Sequence, residues 1–231
     1  MPTARYQLSV GAVAGTLYAI GGSVPGFDVD VNEAFTPPCT GPAITITNPT
    51  ATDYTLNETE QAVYTCSSAC STISICTGTV ANGNDIDTAS VGAKTFTVNA
   101  TDAAGNANSV TVNYSVSYGI CALYDPSKGV HLGATIPIKL QLCDAAGTDV
   151  SSSSVVVQAT GLTLTSSSTP ADVEDTGNAN PDDDFRFDST LGVTGGYIFN
   201  LDTSDLSQGT WAMSFTASGD PVTHTTNFGV E

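Results

Sequence analysis

Residues 91–116 read VGAKTFTVNATDAAGNANSVTVNYSV, two runs of alternating apolar and polar residues on either side of a polar turn. Phe96 and Val98 alternate with polar residues before the turn, and the even-numbered positions from Val110 to Val116 are apolar after it. Successive side chains of a strand point to opposite faces, so a period of two predicts strands with one buried face. The stretch therefore predicts two strands, each with one buried face.

Short runs with the same period precede these two strands. They include Ile44 and Ile46, Val63 to Cys66, and Ile73 and Ile75, and the dipeptide Asn82-Gly83 that follows them is a hairpin signal. Strands at roughly ten-residue spacing with turn residues between them predict a β-sandwich. The predicted fold class is all-β: two tandem immunoglobulin-like β-sandwiches preceded by a short β-hairpin.

The chain is strongly acidic, and this limits its partners. Its formal net charge is −18, from 23 acidic and five basic residues. Nucleic-acid binding needs clustered Lys and Arg, and an anionic membrane surface would repel the chain. No stretch of about 18 apolar residues predicts membrane insertion either. Calcium, a cationic protein surface, a neutral glycan or simple solubility remain.

Cysteine usage points to an oxidising compartment. An even count in a chain with two histidines favours disulfides over a zinc site, because structural zinc needs four ligands. We therefore expect an extracellular or cell-surface location. The six cysteines are Cys39, Cys66, Cys70, Cys76, Cys121 and Cys143.

The N-terminal segment, ARYQLSVGAVAGTLYAIGG at residues 4–22, resembles two strands of a kelch propeller blade that end in paired glycines. Phe35 stands near the position of the blade's Tyr, and the blade's Trp is missing. The resemblance covers residues 1–36 and implies one incomplete blade, whereas a propeller needs at least about four. It therefore implies that the chain is the C-terminal piece of a longer polypeptide whose other blades lie upstream. Residues 37–42, with three prolines, predict a linker.

The 91–116 stretch resembles the end of bacterial immunoglobulin-like and hyalin-type repeats, which carry a T-x-T-V-x-A-x-D-x-x-G-N hairpin. The resemblance implies a sandwich over residues 43–118. The pair YTC and ISIC also fits it and implies a Cys66–Cys76 disulfide. Cys70 is an additional cysteine inside that loop, and Cys39 at the entrance of the module is its expected partner.

GATIPIKLQLCDAAGTDV, residues 133–150, resembles the PxKF bacterial domain, with Leu140 in place of the usual final Phe. NANPDDDFRFD, GGYIFNLDT and GTWAMSFTASGD match later strands of that domain. The resemblance implies a second sandwich over residues 119–231. Cys121 and Cys143 flank the P-I-K-L strand and are expected to form a local disulfide.

The candidate metal site is the acidic run Asp182, Asp183 and Asp184. Hard oxygen ligands on one loop suit calcium, but the run lacks the glycine and final glutamate of an EF-hand. A solvated acidic loop is the other interpretation. No other cofactor is predicted. Beyond the loop, Phe185 and Phe187 should point inward and Arg186 outward.

Aromatic residues near the C-terminus allow two interpretations, a sugar-stacking platform or a core. Tyr197 and Phe199 share one strand face, as do Trp211, Met213 and Phe215, and this spacing favours the core.

Motifs for catalysis do not appear in the sequence. It has no G-x-S-x-G elbow, P-loop or H-E-x-x-H, and its histidines, His131 and His224, lie at a turn and near the last strand. We therefore expect no enzyme but a structural or adhesive module, a spacer or interaction domain at the end of a kelch-type protein. The alternative is a glycan-binding accessory module, which requires two or three aromatic residues exposed on one face.

Overall fold

The structure, a computed structural model, describes residues 4, 6–13, 16–35, 40–176 and 183–231. These residues form twenty β-strands and no α-helix, which confirms the all-β prediction. The chain divides into two compact units. One comprises Met1–Ala43, Cys66–Cys76 and Ala100–Asn108, and the other comprises Ile44–Thr65, Thr77–Asn99 and Ser109–Glu231. These units do not follow the predicted module boundaries, which stay predictions.

The N-terminal segment forms a small antiparallel sheet. Its strands are β1 (Ser9–Val13), β2 (Thr16–Ile20), β3 (Ser23–Val24), β4 (Phe27–Asp28) and β5 (Asn32–Phe35). The sheet order is β1-β2-β5, and β3 pairs with β4 in a separate ribbon. The paired glycines that follow β2 both have positive φ, +64° at Gly21 and +102° at Gly22. A Cβ on Gly22 would lie 2.8 Å from the carbonyl oxygen of Tyr6, so this turn requires glycine.

One face of this sheet is apolar and exposed. Leu17 pairs with Ala12 on one side and with Phe35 on the other, so the three side chains share a face. Leu17 is 41% exposed and Phe35 49%. Strands β1 and β2 pair as predicted for a hairpin, and Val10, Val13, Leu17 and Ile20 on them are exposed whereas Ala19 is buried. The identification of this hairpin with a kelch blade stays a prediction.

The first sandwich is built from six strands. They are β6 (Ala43–Asn48), β7 (Asp53–Thr55), β8 (Val63–Ser67), β9 (Ile73–Gly78), β10 (Gly92–Asp102) and β11 (Ala107–Ser117). One layer has the order β7-β11-β10-β9 and the other pairs β6 with β8. Tyr64 of β8 meets Phe96 of β10 with ring centroids 5.9 Å apart, and Tyr54 meets Tyr114 edge-on at 5.6 Å. The apolar face of the 91–116 hairpin thus lines one side of this core.

The described residues of the second sandwich form nine strands. They are β12 (Gly119–Ala122), β13 (Gly129–Val130), β14 (Thr135–Cys143), β15 (Val157–Leu164), β16 (Thr169–Ala171), β17 (Arg186–Asp188), β18 (Gly196–Asp202), β19 (Gly209–Ala217) and β20 (His224–Val230). The two sheets have the orders β12-β14-β18-β17 and β13-β20-β19-β15-β16. In the P-I-K-L strand, β14, Ile138 and Leu140 are fully buried. The chain therefore contains two tandem immunoglobulin-like β-sandwiches, as predicted.

Candidate functional site

Two of the predicted disulfides are confirmed. Cys66 and Cys76 join β8 to β9 with a Cα–Cα distance of 6.0 Å, and Cys121 and Cys143 join β12 to β14 at 6.1 Å. Cys70 is also disulfide-bonded. Cys39 lies outside the described residues, so the Cys39–Cys70 pairing stays a prediction.

The acidic run is only partly described, because Asp182 lies outside the described residues. Asp183 is exposed with a φ of +60°, and Asp184 is half-buried and forms a β-bridge with Gln158 of β15. The described part of the chain brings together no group of three acidic, histidine or cysteine side chains suited to a metal ion. The calcium site therefore stays a prediction.

The strand that follows the acidic run has the predicted alternation. Phe185 is buried against the rings of Phe199 and Phe215, at centroid distances of 5.2 and 5.7 Å. Arg186 is exposed, and Phe187 is half-buried with its edge against Tyr197. Phe187 is less covered than the alternation suggests, because it lies on β17 at the edge of its sheet.

The aromatic residues proposed for either sugar stacking or the core lie in the core. Tyr197 and Phe199 of β18 are fully buried, as are Met213 and Phe215 of β19, and Trp211 is 3% exposed. The Trp211 indole N–H donates to the carbonyl of Ser207, and the Tyr197 hydroxyl donates to the carbonyl of Ser152. Their polar atoms are therefore satisfied inside the second sandwich and not offered to a ligand.

Each sandwich has one turn of similar sequence after a strand. The turn is DAAGN at residues 102–106 in the first sandwich and DAAGT at residues 144–148 in the second. In both, the aspartate Oδ1 accepts the backbone N–H groups two and four residues later, at 2.9 to 3.0 Å. The glycine of each turn has a positive φ, +87° and +76°. The Asn106 side-chain amide above all lowers the pKa of Asp102, and the Thr148 N–H above all lowers the pKa of Asp144. These aspartates therefore stabilise turns and are not proton donors near neutral pH.

A buried carboxylate that the sequence did not reveal lies in the turn between β19 and β20 and contacts Tyr118, which precedes the second sandwich. The Asp220 side chain is fully buried and lies 2.9 Å from Nε2 of His224. It also accepts the N–H groups of Tyr118 and Val222, at 2.8 and 2.9 Å. Burial acts to raise the pKa of Asp220, but these hydrogen bonds, led by His224, outweigh it and hold the pKa below its ordinary value.

The other histidine, His131, is exposed at a turn. His224 is engaged with Asp220 and lies 5.7 Å from the ring of Phe215, measured between ring centroids. In these positions the two histidines act as a surface residue and as part of a structural pair.

Exposed aromatic residues occur in the N-terminal segment. Tyr6, Phe27 and Phe35 are 53%, 68% and 49% exposed. Tyr6 forms a β-bridge with Ser23, and Phe27 pairs with Val24. Because Ser23 and Val24 are consecutive in a strand, their side chains and those of their partners Tyr6 and Phe27 point to opposite faces. These rings do not form one flat platform.

No family model and no curated protein matches the chain. Similar solved structures include a Lin-41 filamin domain, at 19% identity and a TM-score of 0.30, covering 48% of this chain and 91% of that one. A titin immunoglobulin tandem covers 84% and 98% at 10% identity and a TM-score of 0.25. Domains 4–9 of the surface layer protein SbsC cover 94% and 35% at 12% identity and a TM-score of 0.28. At such TM-scores the fold rests on the chain's own strand pairing.

Proposed function

We propose that the chain is a non-catalytic structural or adhesive module of a secreted or cell-surface protein, acting as a spacer or interaction domain. The observation that carries this proposal is where the second sandwich places its large aromatic residues. Tyr197, Phe199, Trp211, Phe215 and Phe228 all fill its core. The exposed aliphatic residues Leu123, Leu132, Val156 and Val193 are the large apolar side chains that the described part of this sandwich leaves on its surface, and none of them is aromatic. A surface without exposed aromatic rings suits a solvated spacer.

The disulfides support a position outside the cytoplasm. Cys66–Cys76 joins the two layers of the first sandwich, and Cys121–Cys143 joins the paired strands β12 and β14. Such bonds persist in oxidising compartments and are rare where thiols are kept reduced. The described part of the chain contains no helix that is long and apolar enough to cross a bilayer.

The N-terminal sheet supports placing the chain at the C-terminal end of a kelch-type protein. Leu17 and Phe35 on its apolar face are exposed, whereas Ala19, on the same strand as Leu17, is buried. A propeller blade buries such a face against the next blade. In this proposal other blades of a kelch-type protein cover the face.

The alternative is a glycan-binding accessory module, and the exposure of Tyr6, Phe27 and Phe35 is the observation in its favour. Sugar platforms need rings that lie side by side, whereas Tyr6 and Phe27 point to opposite faces. The spacer is therefore the better supported function.

Affinity electrophoresis against neutral polysaccharides (cellulose, chitin, xylan and β-glucan derivatives) separates the two functions. The purified chain is compared with the triple variant Tyr6→Ala, Phe27→Ala, Phe35→Ala, and buried Trp211 serves as the common folding probe. We expect both proteins to migrate without retardation. Saturable retardation of the chain that is lost in the triple variant would replace the spacer with the glycan-binding module.

A further inference from the structure

The two sandwiches are joined by one residue. Strand β11 ends at Ser117 and β12 begins at Gly119, so Tyr118 alone lies between them. The residues that form this junction all belong to the second compact unit. A one-residue connection leaves only the φ and ψ of Tyr118 free for a hinge motion, because the dihedrals of the flanking residues are fixed by the hydrogen bonds of β11 and β12.

The first sandwich contributes a loop that contacts the second. Residues 53–55 of β7 pair in parallel with residues 115–117 of β11, and the Leu56 N–H continues this ladder by donating to the Ser117 carbonyl at 2.8 Å. The carbonyl of Leu56 accepts the N–H of Ala145, also at 2.8 Å, from the DAAGT turn of the second sandwich. Asn57 Nδ2 adds a contact of 3.3 Å to Asp144 Oδ2 in the same turn.

The second sandwich holds the connecting residue itself. Asp220, in the turn between β19 and β20, accepts the Tyr118 N–H through Oδ2 at 2.8 Å, and the same oxygen lies 2.9 Å from His224 Nε2. Oδ1 accepts the Val222 N–H, which fixes the carboxylate within its own turn. Because the side chain is fully buried, a rotation at Tyr118 would leave a buried charge short of a donor, which is unfavourable.

Close packing around Gly119 leaves little space for the backbone to move at the junction. A Cβ there would lie 3.2 Å from the Cys143 carbonyl oxygen and 3.5 Å from Thr55 Cγ2, so both sandwiches approach the backbone at this point. Two residues later, Cys121 is bonded to Cys143 and ties β12 to β14.

We infer that these contacts lock the two sandwiches in a single orientation, and that Asp220 is the positioning residue of the junction. The carboxylate acts on Tyr118 from one side and the Leu56–Ala145 hydrogen bond acts from the other. The parts of the two sandwiches that belong to the second compact unit then keep one relative orientation. This rigidity holds whether or not the chain serves as a spacer.

Distance measurements between the sandwiches test the inference. Spin labels on non-natural amino acids replace Asn113 in β11 and Val193, which is 94% exposed in the second sandwich. Double electron–electron resonance on the full chain should give one narrow distance distribution. In Asp220→Ala the distribution should be at least twofold broader. Asp202→Ala is the matched control, because Asp202 caps its own turn through Ser204 without touching the linker.

Cleavage by chymotrypsin after Tyr118 provides an independent measurement. The chain and the Asp202→Ala control should resist cleavage there, and Asp220→Ala should be cut at least tenfold faster. Asp220→Asn removes the carboxylate with less loss of packing and replaces Asp220→Ala if that variant does not fold, as judged by Trp211 fluorescence. A broad distribution in the unaltered chain overturns the rigid junction, and a folded Asp220 variant as narrow and as resistant as the control overturns the role of Asp220.

Discussion

Three consecutive substitutions test how the strand after the acidic run enters the second core. Phe185 is 5% exposed and packs on Phe199 and Phe215, so Phe185→Ala should lower the free energy of unfolding by about 4 kcal/mol. Phe187 is half-buried on the edge strand, and Phe187→Ala should cost about 2 kcal/mol. Arg186 is exposed, and Arg186→Ala should change stability by no more than about 0.5 kcal/mol.

Urea unfolding followed by fluorescence suits this series, because the single tryptophan, Trp211, is buried in the same core. With an m-value of about 2 kcal/mol per molar, the midpoints should fall by about 2 M, 1 M and less than 0.3 M respectively. Far-ultraviolet circular dichroism before denaturation shows that each variant is folded. A Phe185→Ala midpoint equal to that of the unaltered chain, or an Arg186→Ala midpoint lower than both phenylalanine variants, would refute the inward orientation.

Three further predictions concern the disulfides, acid and calcium. Replacing both Cys121 and Cys143 by alanine should lower stability by about 3 kcal/mol in denaturant titrations, from the unfolded-state entropy of a loop with a separation of 22 residues; no change would show that the bond does not constrain the unfolded chain. Because the folded pKa of Asp220 is depressed, the stability it contributes is present above pH 3.8 and is lost as pH falls through the lower folded pKa. The difference in unfolding free energy between the chain and Asp220→Asn should therefore shrink as the pH falls below 3.8. A difference that stays constant in acid titrations would contradict a stabilising role of the Asp220 carboxylate. Millimolar calcium should raise the melting temperature no more than magnesium does, and a calcium-specific rise that Asp182→Ala abolishes would show that the acidic run is a metal site.

Much of the fold could be predicted because its cause is local. The period-two pattern of the 91–116 hairpin, with Phe96 and Val98 inward, follows from the pleat of a strand. The burial of Trp211 and Phe215 follows in the same way. Cys121 and Cys143 lie on neighbouring strands, and their spacing around the P-I-K-L strand already favoured a local bond.

The missed features depend on residues far apart in the sequence or on weak strand formers. Strand β5 has the sequence NEAF, which has little β-propensity, and it forms because it pairs with β2. The hydrogen bond from Tyr118 to Asp220 joins residues 102 positions apart, so no periodicity reveals it. One signal was available: the two DAAG sequences at residues 102–105 and 144–147 predict the same turn twice.

If the contacts of Tyr118 with Asp220 and of Leu56 with Ala145 hold the tandem sandwiches in one orientation, their geometry should be fixed in solution. Residual dipolar couplings of backbone amides in a weakly aligning medium test this most directly, with β7 and β11 representing one sandwich and β14, β18 and β19 the other. A single alignment tensor that fits the couplings of both groups is the predicted result. Two tensors of different orientation or magnitude would show that the sandwiches move independently and would contradict a spacer of fixed geometry.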